Sequence, residues 1–467
     1  MKLHLAALLL AVSPIGIAAP LSAQPAAAVL PLVDPSVAAM RDAALSDDYA
    51  WDIVEGLTTE IGPRLAGTAA EARARDWAVA KLKSLGFSNV RIEPFDLPVW
   101  TRGAEAAEIL APFPQRMVVA AFGNSGSTPV GGIQGQVVGF NSLAELEAAP
   151  DSLVRGKIVF VSHAMPRTQD GSGYGFFGGP RRQGPTVASR KGALAIVVRS
   201  IGTDYHRNPH TGAQTFADGV APIPAGALSI PDAEQLQRIL KRGKPVTMRL
   251  TLVSQTRPGR SGNVIAEVPG RDPKAPIVLV GGHLDSWDLG TGAVDDGAGV
   301  AITTAAARCI MDAGRPLRTI RVVWFGAEET GLFGGLDYQS KHGKEAHHAL
   351  AESDFGADRV WRVRSKLGEA RKGEALALQA ALAPLGIVPG STEEADGSDI
   401  GPMLAAGLPG VELSQDGTNY FDLHHTPDDT LDKIDREALR QNVAAWTAML
   451  GVLSGGVEPQ PRRRQRR

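Results

Sequence analysis

The stretch PIVLVGGHLDSWDLGTGAVDDGAG, residues 276–299, decides the architecture of this 467-residue chain. Its apolar, largely β-branched run Ile277 to Val280 predicts a strand. The strand ends in Gly281-Gly282 and delivers His283 and Asp285, two residues apart and so on the same side of an extended chain. Twelve residues after His283 come Asp295 and Asp296, set among glycines that let the backbone turn tightly, and the apolar stretch 300–310 then predicts a helix. Imidazole and carboxylate groups at the carboxyl end of a strand point to a divalent metal.

Outward from this stretch, helices and strands alternate to the end of the chain. Strands are predicted over 263–268, 277–280, 319–325, 350–352 and 411–414, and helices over 299–311, 333–342, 367–382 and 436–453. The pattern is that of an α/β chain folded as a three-layer α/β/α sandwich, in which strand-end loops gather at one edge of the sheet. Upstream, two helical patterns between 37 and 85 flank the loop TTEIGPRLAGT at 58–68, and a strand follows at 90–94. Between 104 and 255 the composition shifts to glycine, proline and short strands at 137–140, 157–162, 193–198 and 246–253, which predicts an inserted β-rich domain.

Three further motifs bring chemistry to the strand-end edge. The apolar run IRVVWF leads directly into Glu328 and Glu329, and adjacent residues of an extended chain point opposite ways. One carboxylate can therefore bind metal while the other faces substrate. Asp354 follows a short strand in LAESDFGAD, and the doublet His424-His425 lies in the turn-rich loop YFDLHHTPDDT. Histidines and carboxylates without a thiolate suit paired Zn(II), or Mn(II) or Co(II) in its place. Asp285, two residues from His283, is placed to accept the second imidazole N–H and so to fix its tautomer.

Composition bounds the partners. Forty-eight basic and 50 acidic residues leave a net charge of −2, and no basic stripe runs through the body, which argues against nucleic acid. The tail PRRRQRR, within a basic segment assigned to 457–467, is read as a solvated end. Residues 1–23 read as a cleaved export signal: Lys2, an apolar run from Leu5 to Val12, and Leu21-Ser22-Ala23 before Gln24. A periplasmic or secreted protein without a stable membrane anchor follows, since no other apolar run reaches membrane length. The single cysteine, Cys309, excludes an intramolecular disulfide and a zinc–thiolate cluster.

HLDS with DDGAG, AEE, ESD, HHTPDDT and the early GPRLAG together resemble the M28 family of co-catalytic zinc exopeptidases. The wording SWDLGTGAVDD is most similar to its plasma glutamate carboxypeptidase (carboxypeptidase Q) branch. Between 104 and 255, GKIVFVS, TVASRKGALAIVV and IPAGALSIPDAEQLQRIL resemble the protease-associated domain, an unrelated extra β-domain being the alternative. The family resemblance implies a catalytic domain split into 37–103 and 256–456. It implies two zinc ions per chain: His283 and Asp354 on one, Glu329 and His425 on the other, Asp295 bridging both, and Glu328 as general base. His424 then stands beside the ligands. Short peptides with a free N-terminus are the implied substrates, and a homodimer is compatible with the resemblance. The same fold hosts noncatalytic receptor-like scaffolds and single-zinc glutaminyl cyclases, which are the alternatives. A second domain inserted beside a strand-end pocket should roof it and favour chain ends, with Ser398, Asp399 and Tyr420 as candidate lining residues.

Overall fold

The decisive apolar run forms strand Ile277–His283, with Ile320–Phe325 on one side and His347–Glu352 on the other, both parallel to it. Val278 and Val280 belong to one core and Leu279 to another, the two-residue period of a strand buried on both faces. Beyond His347–Glu352 the sheet continues through parallel Gly410–Gln415, antiparallel Val360–Lys366 and the short Val388–Pro389. On the opposite side Ile320–Phe325 pairs antiparallel with Thr247–Val268. The computed structural model describes residues 30–458. The export signal read in residues 1–23 and the tail from residue 459 onward lie outside the described residues.

Helices cover both faces. Pro35–Ala44, Tyr49–Gly56, Ala298–Ala313 and Arg436–Leu453 pack on the larger core, where Trp446, Ile302 and Val300 are fully buried. Arg436–Leu453 starts where the Asp435 side chain accepts the Ala438 N–H at 2.7 Å, a helix N-cap. On the other face Phe333–His342 and Gly401–Ala405 place Tyr338, Met403 and Leu404 against Leu279, Val323 and Leu350. The three-layer α/β/α sandwich is therefore present. Because the central strands run parallel, their carboxyl ends at His283, Phe325 and Glu352 share one edge, which is where crevices form in such sheets.

The insert departs from expectation. Its strands Ile133–Phe140, Ile158–Val161, Ala195–Arg199 and Ala225–Leu228 are mutually parallel, and helices lie between the first three of them. Helix Ile230–Leu240 puts Leu236 and Ile239 into one core, and helix Gly184–Arg190 puts Ala188 into another. The segment is an α/β layer structure in which helices cover the expected strands. Ser229 caps the first of these helices by accepting the Asp232 N–H at 3.3 Å, with Pro231 in its first turn.

Two long strands, Ser88–Ala111 and Thr247–Val268, pair antiparallel and run through both regions. The expected strands at 90–94 and 246–253 are fragments of this pair. Pro94, Pro98 and Pro258 concealed its length, because proline reads as a strand stop. Here they fall where the two strands have no third neighbour, so no outer ladder is interrupted. Strand Val360–Lys366 and the delayed start of helix Lys372–Leu382 were also missed. Among the described residues no helix is long and apolar enough to cross a membrane.

Trp446→Ala tests the docking of the last helix on the larger core. Removing a fully buried indole should cost about 3 to 5 kcal/mol in urea unfolding. A loss below about 1 kcal/mol would show that this face is not packed as described.

Candidate metal centre

His283 ends its strand with the backbone N–H held at 3.0 Å by Asp296 Oδ2, while Asp296 Oδ1 accepts the Gly299 N–H at 3.0 Å. Asp296 thus anchors the loop, and Asp295 faces the centre. Asp295 Oδ1 lies 3.0 Å from His283 Nε2, and Asp295 Oδ2 lies 3.2 Å from His425 Nε2. His425 Nε2 is also 3.0 Å from Glu329 Oε2, and His283 Nε2 is 3.4 Å from Asp354 Oδ1. The five residues read as ligands therefore meet in one place, each imidazole between Asp295 and one further carboxylate. His424 Nε2 is 3.7 Å from Asp295 Oδ2, and its ring stacks on His425 with centroids 3.4 Å apart.

Glu328 and Glu329 are not in an extended chain. Residues 326–331 turn, with Ala327 at φ 57° and the Gly331 N–H donating to Glu328 O at 2.9 Å. The turn sends Glu329 to His425 and leaves Glu328 lining a cleft of about 880 Å³. Asp285 also differs from expectation. His283 Nδ1 meets the backbone carbonyl of Asp285 at 2.9 Å, whereas the Asp285 carboxylate is 3.8 Å away and accepts the Glu328 N–H at 3.0 Å. A bend after His283 brings the carbonyl closer to the ring than the side chain, so main chain sets the tautomer and Asp285 fixes the Glu328 turn. Of the expected lining residues, Ser398 and Tyr420 face the cleft. Asp399 does not: it is fully buried and accepts the Gly335 N–H at 2.9 Å.

The electrostatics suit a cation. Burial, with Asp295 nearby, pushes the Glu329 carboxyl well above its usual range. Glu328 is likewise raised, by burial and by Asp354 and Glu329 against the opposing pull of His283. Burial works to raise Asp295 too, but the hydrogen bond from His283 and the attraction of the adjacent His425 outweigh it and hold the group well below normal. Asp295 Oδ2 and Glu329 Oε1 are buried without a hydrogen-bond partner. Orphaned carboxylate oxygens beside imidazoles, with no thiolate, form a donor set that fits zinc.

Sequence reasoning missed the groups that hold this centre from behind. Arg64, fully buried in the GPRLAG segment, donates to three main-chain carbonyls: Leu284, Thr291 at 2.6 Å and Gly292 at 2.8 Å. Asp429 accepts the N–H groups of Val294 at 2.6 Å and Asp295 at 3.2 Å. From the insert, Thr211 donates its N–H to His425 O at 3.0 Å and presents its own carbonyl to His425 Nδ1 at 3.3 Å. Arg102, paired with Asp288 at 2.9 Å, holds the Thr211 hydroxyl at 3.0 Å. The sequence carried a signal for Arg64 and Asp429 in the GPRLAG and HTPDDT stretches, but none for Thr211, whose contact is purely tertiary. Arg64→Met should strand three carbonyls and cost at least about 3 kcal/mol in unfolding of the metal-stripped protein. Arg64→Lys should recover only part, since an ammonium cannot span the same fork; full recovery would show that charge alone matters.

The sequence profile of Peptidase family M28 matches residues 263–450. Carboxypeptidase Q of Bos taurus is 34% identical over 411 residues, covering 87% of this chain and 85% of that protein. Aminopeptidase YwaD of Bacillus subtilis (strain 168) is 24% identical, covering 86% and 83% of the two chains. The crystal structure of a Peptidase M28 precursor from Shewanella amazonensis SB2B superposes with a TM-score of 0.87 at 45% identity, covering 91% of this chain and 98% of that one. With this extent of likeness and the clustered imidazoles and carboxylates, the chain belongs to peptidase family M28 and is a metallopeptidase.

Proposed function

We propose that this chain is an exported exopeptidase with two zinc ions, hydrolysing dipeptides or short peptides that have a free N-terminus. The observation that carries the reading is Asp295, whose two carboxylate oxygens point to different imidazoles, His283 and His425. One residue so placed can serve two ions. His283 and Asp354 would hold the first, Glu329 and His425 the second, and Asp295 would be shared. When bound, the ions supply an acidified water nucleophile and Lewis-acid polarisation of the scissile carbonyl.

The chain's own groups supply the rest of the chemistry. Glu328 lines the cleft next to Glu329, and burial among carboxylates has raised its proton affinity. It takes the proton of the attacking water on its carboxylate and returns it to the leaving nitrogen, a general acid/base role worth about 100- to 10,000-fold. Asp285 keeps Glu328 in position through the N–H bond at 3.0 Å. The carboxylates left uncompensated around the centre give a peptide's free α-amine a site. Tyr174 and Arg181 of the insert line the same cleft as Glu328 and His425, so the insert narrows the approach, which favours chain ends over chain middles. The relatives carry the names carboxypeptidase and aminopeptidase, both exopeptidases, in line with this reading. The N-terminal pattern of residues 1–23 supports export.

Glu328→Gln should keep its zinc content and lose at least about a hundredfold in kcat. Activity within a fewfold of wild type would remove Glu328 from proton transfer. Kinetics on a dipeptide and its N-acetyl form test the end preference: acetylation deletes a charge-assisted contact and should lower kcat/KM at least about tenfold. Equal efficiencies, or cleavage inside a long folded substrate, would exclude the exopeptidase reading.

A further inference from the structure

Four guanidinium groups line the cleft: Arg181, Arg182, Arg362 and Arg364. Three are engaged. Arg364 is paired with Glu412 at 2.5 Å and Glu394 at 3.6 Å. Arg181 donates to the Thr211 carbonyl at 3.2 Å and the Tyr174 hydroxyl at 2.6 Å, and Arg182 donates to the carbonyls of Tyr174 and Gly175. Arg362 differs from all of them. Among the described residues it has no acidic partner and no side-chain hydrogen bond; its Nε, like those of Arg181 and Arg364, is buried without an acceptor.

The group is nonetheless held in place. Its guanidinium lies 4.4 Å from the centroid of the Trp361 ring, a cation–π contact that fixes the plane while leaving the terminal N–H groups, though not the buried Nε, open to the cleft. Its stem lies over Gly390: a Cβ there would come within 3.0 Å of Arg362 Cγ and Cδ, so glycine provides the floor on which the side chain rests. Arg362 is therefore preorganised and unsatisfied, a combination that costs free energy unless a ligand completes it.

Its position relative to the metal centre follows from the sheet. The strand Val360–Lys366 is separated from His347–Glu352 by one strand, Gly410–Gln415. At about 4.8 Å per strand spacing this is about 10 Å. Arg362 pairs with Ser414, and Leu350 pairs with Gly410, so Arg362 lies near the level of Asp354, four residues beyond Leu350. A peptide extends at most about 3.5 Å per residue. If its amine sits at the carboxylates of the centre, the far end of a two- or three-residue peptide reaches the zone of Arg362.

On the exopeptidase reading above, we infer that Arg362 is a specificity-determining residue that receives a substrate carboxylate located beyond the scissile bond. A planar guanidinium with open terminal N–H groups matches a carboxylate in a two-pronged pair, which an amide or ester cannot reproduce. The carboxylate is either the peptide's own terminus or an acidic side chain next to it.

The test is steady-state kinetics of the zinc-loaded full chain on Ala-Leu, Ala-Leu-NH2 and Ala-Glu-NH2, for wild type, Arg362→Met and Arg362→Lys. Wild type should lose about tenfold to a hundredfold in kcat/KM from Ala-Leu to Ala-Leu-NH2, mostly through KM. Arg362→Met should lose that preference, falling several-fold more on the acid than on the amide, and Arg362→Lys should restore part of it. Recovery of efficiency on Ala-Glu-NH2 by wild type but not by Arg362→Met supports the inference with the side chain as the carboxylate source. Wild-type activity that is indifferent to all three peptides, or an equal fall of Arg362→Met on acid and amide, overturns the role of Arg362 and leaves the exopeptidase reading standing. A zinc-loaded wild type inactive on every peptide overturns both.

Discussion

Like charges brought together out of water are the constraint on which this structure depends. Asp295, Glu329, Asp354 and Glu328 converge at one sheet edge with two imidazoles between them, and two of their oxygens, Asp295 Oδ2 and Glu329 Oε1, are buried without a hydrogen-bond partner. Such a group is unfavourable by itself, since each buried carboxylate raises the cost of ionising the next. The surrounding residues bear on that cost. The main-chain amides at 294 and 295 are taken by Asp429, those at 283 and 299 by Asp296, and Arg64 ties down the carbonyls of the intervening loop. The loop cannot relax away from the centre, so the charges stay where a cation can neutralise them.

Much of this cluster was legible in the chain because residue types able to bind metal are few and several of them follow strands or stand in turns. His283, Asp295, Glu329, Asp354 and His425 each follow an apolar run or stand among turn residues, and the structure brings them within a few ångströms of one another. What the chain did not disclose is finer than residue type. Whether Asp285 offers His283 its carboxylate or its carbonyl depends on a backbone bend no periodicity reports. Whether Glu328 and Glu329 lie in a strand or a turn depends on the left-handed conformation of Ala327, a residue that does not advertise it.

The fold shows the same division. The alternation after residue 262 was readable because parallel strands buried on both faces are continuous apolar runs. The insert was harder. Its helices Gly184–Arg190 and Ile230–Leu240 start at or near proline or glycine, residues that also mark loops, so the helical share of the layer was under-read. Thr211 belongs to this region, and nothing in its local sequence shows that its main chain would meet His425 from a distance of 214 residues.

The pairing of Ser88–Ala111 with Thr247–Val268 bears on how the insert can move. Segments joined by single-stranded tethers swing about a few backbone bonds, but here the connection is a hydrogen-bonded ladder that acts as a leaf spring. Displacing the insert bends both strands together, and the register shift between Arg102 and Glu105 is a natural place for that bend. Arg102 at that point is tied to Asp288 and to the Thr211 hydroxyl, so flexing there also tugs on the segment that holds His425. The insert and the His425 imidazole are thus linked through Arg102 and Thr211.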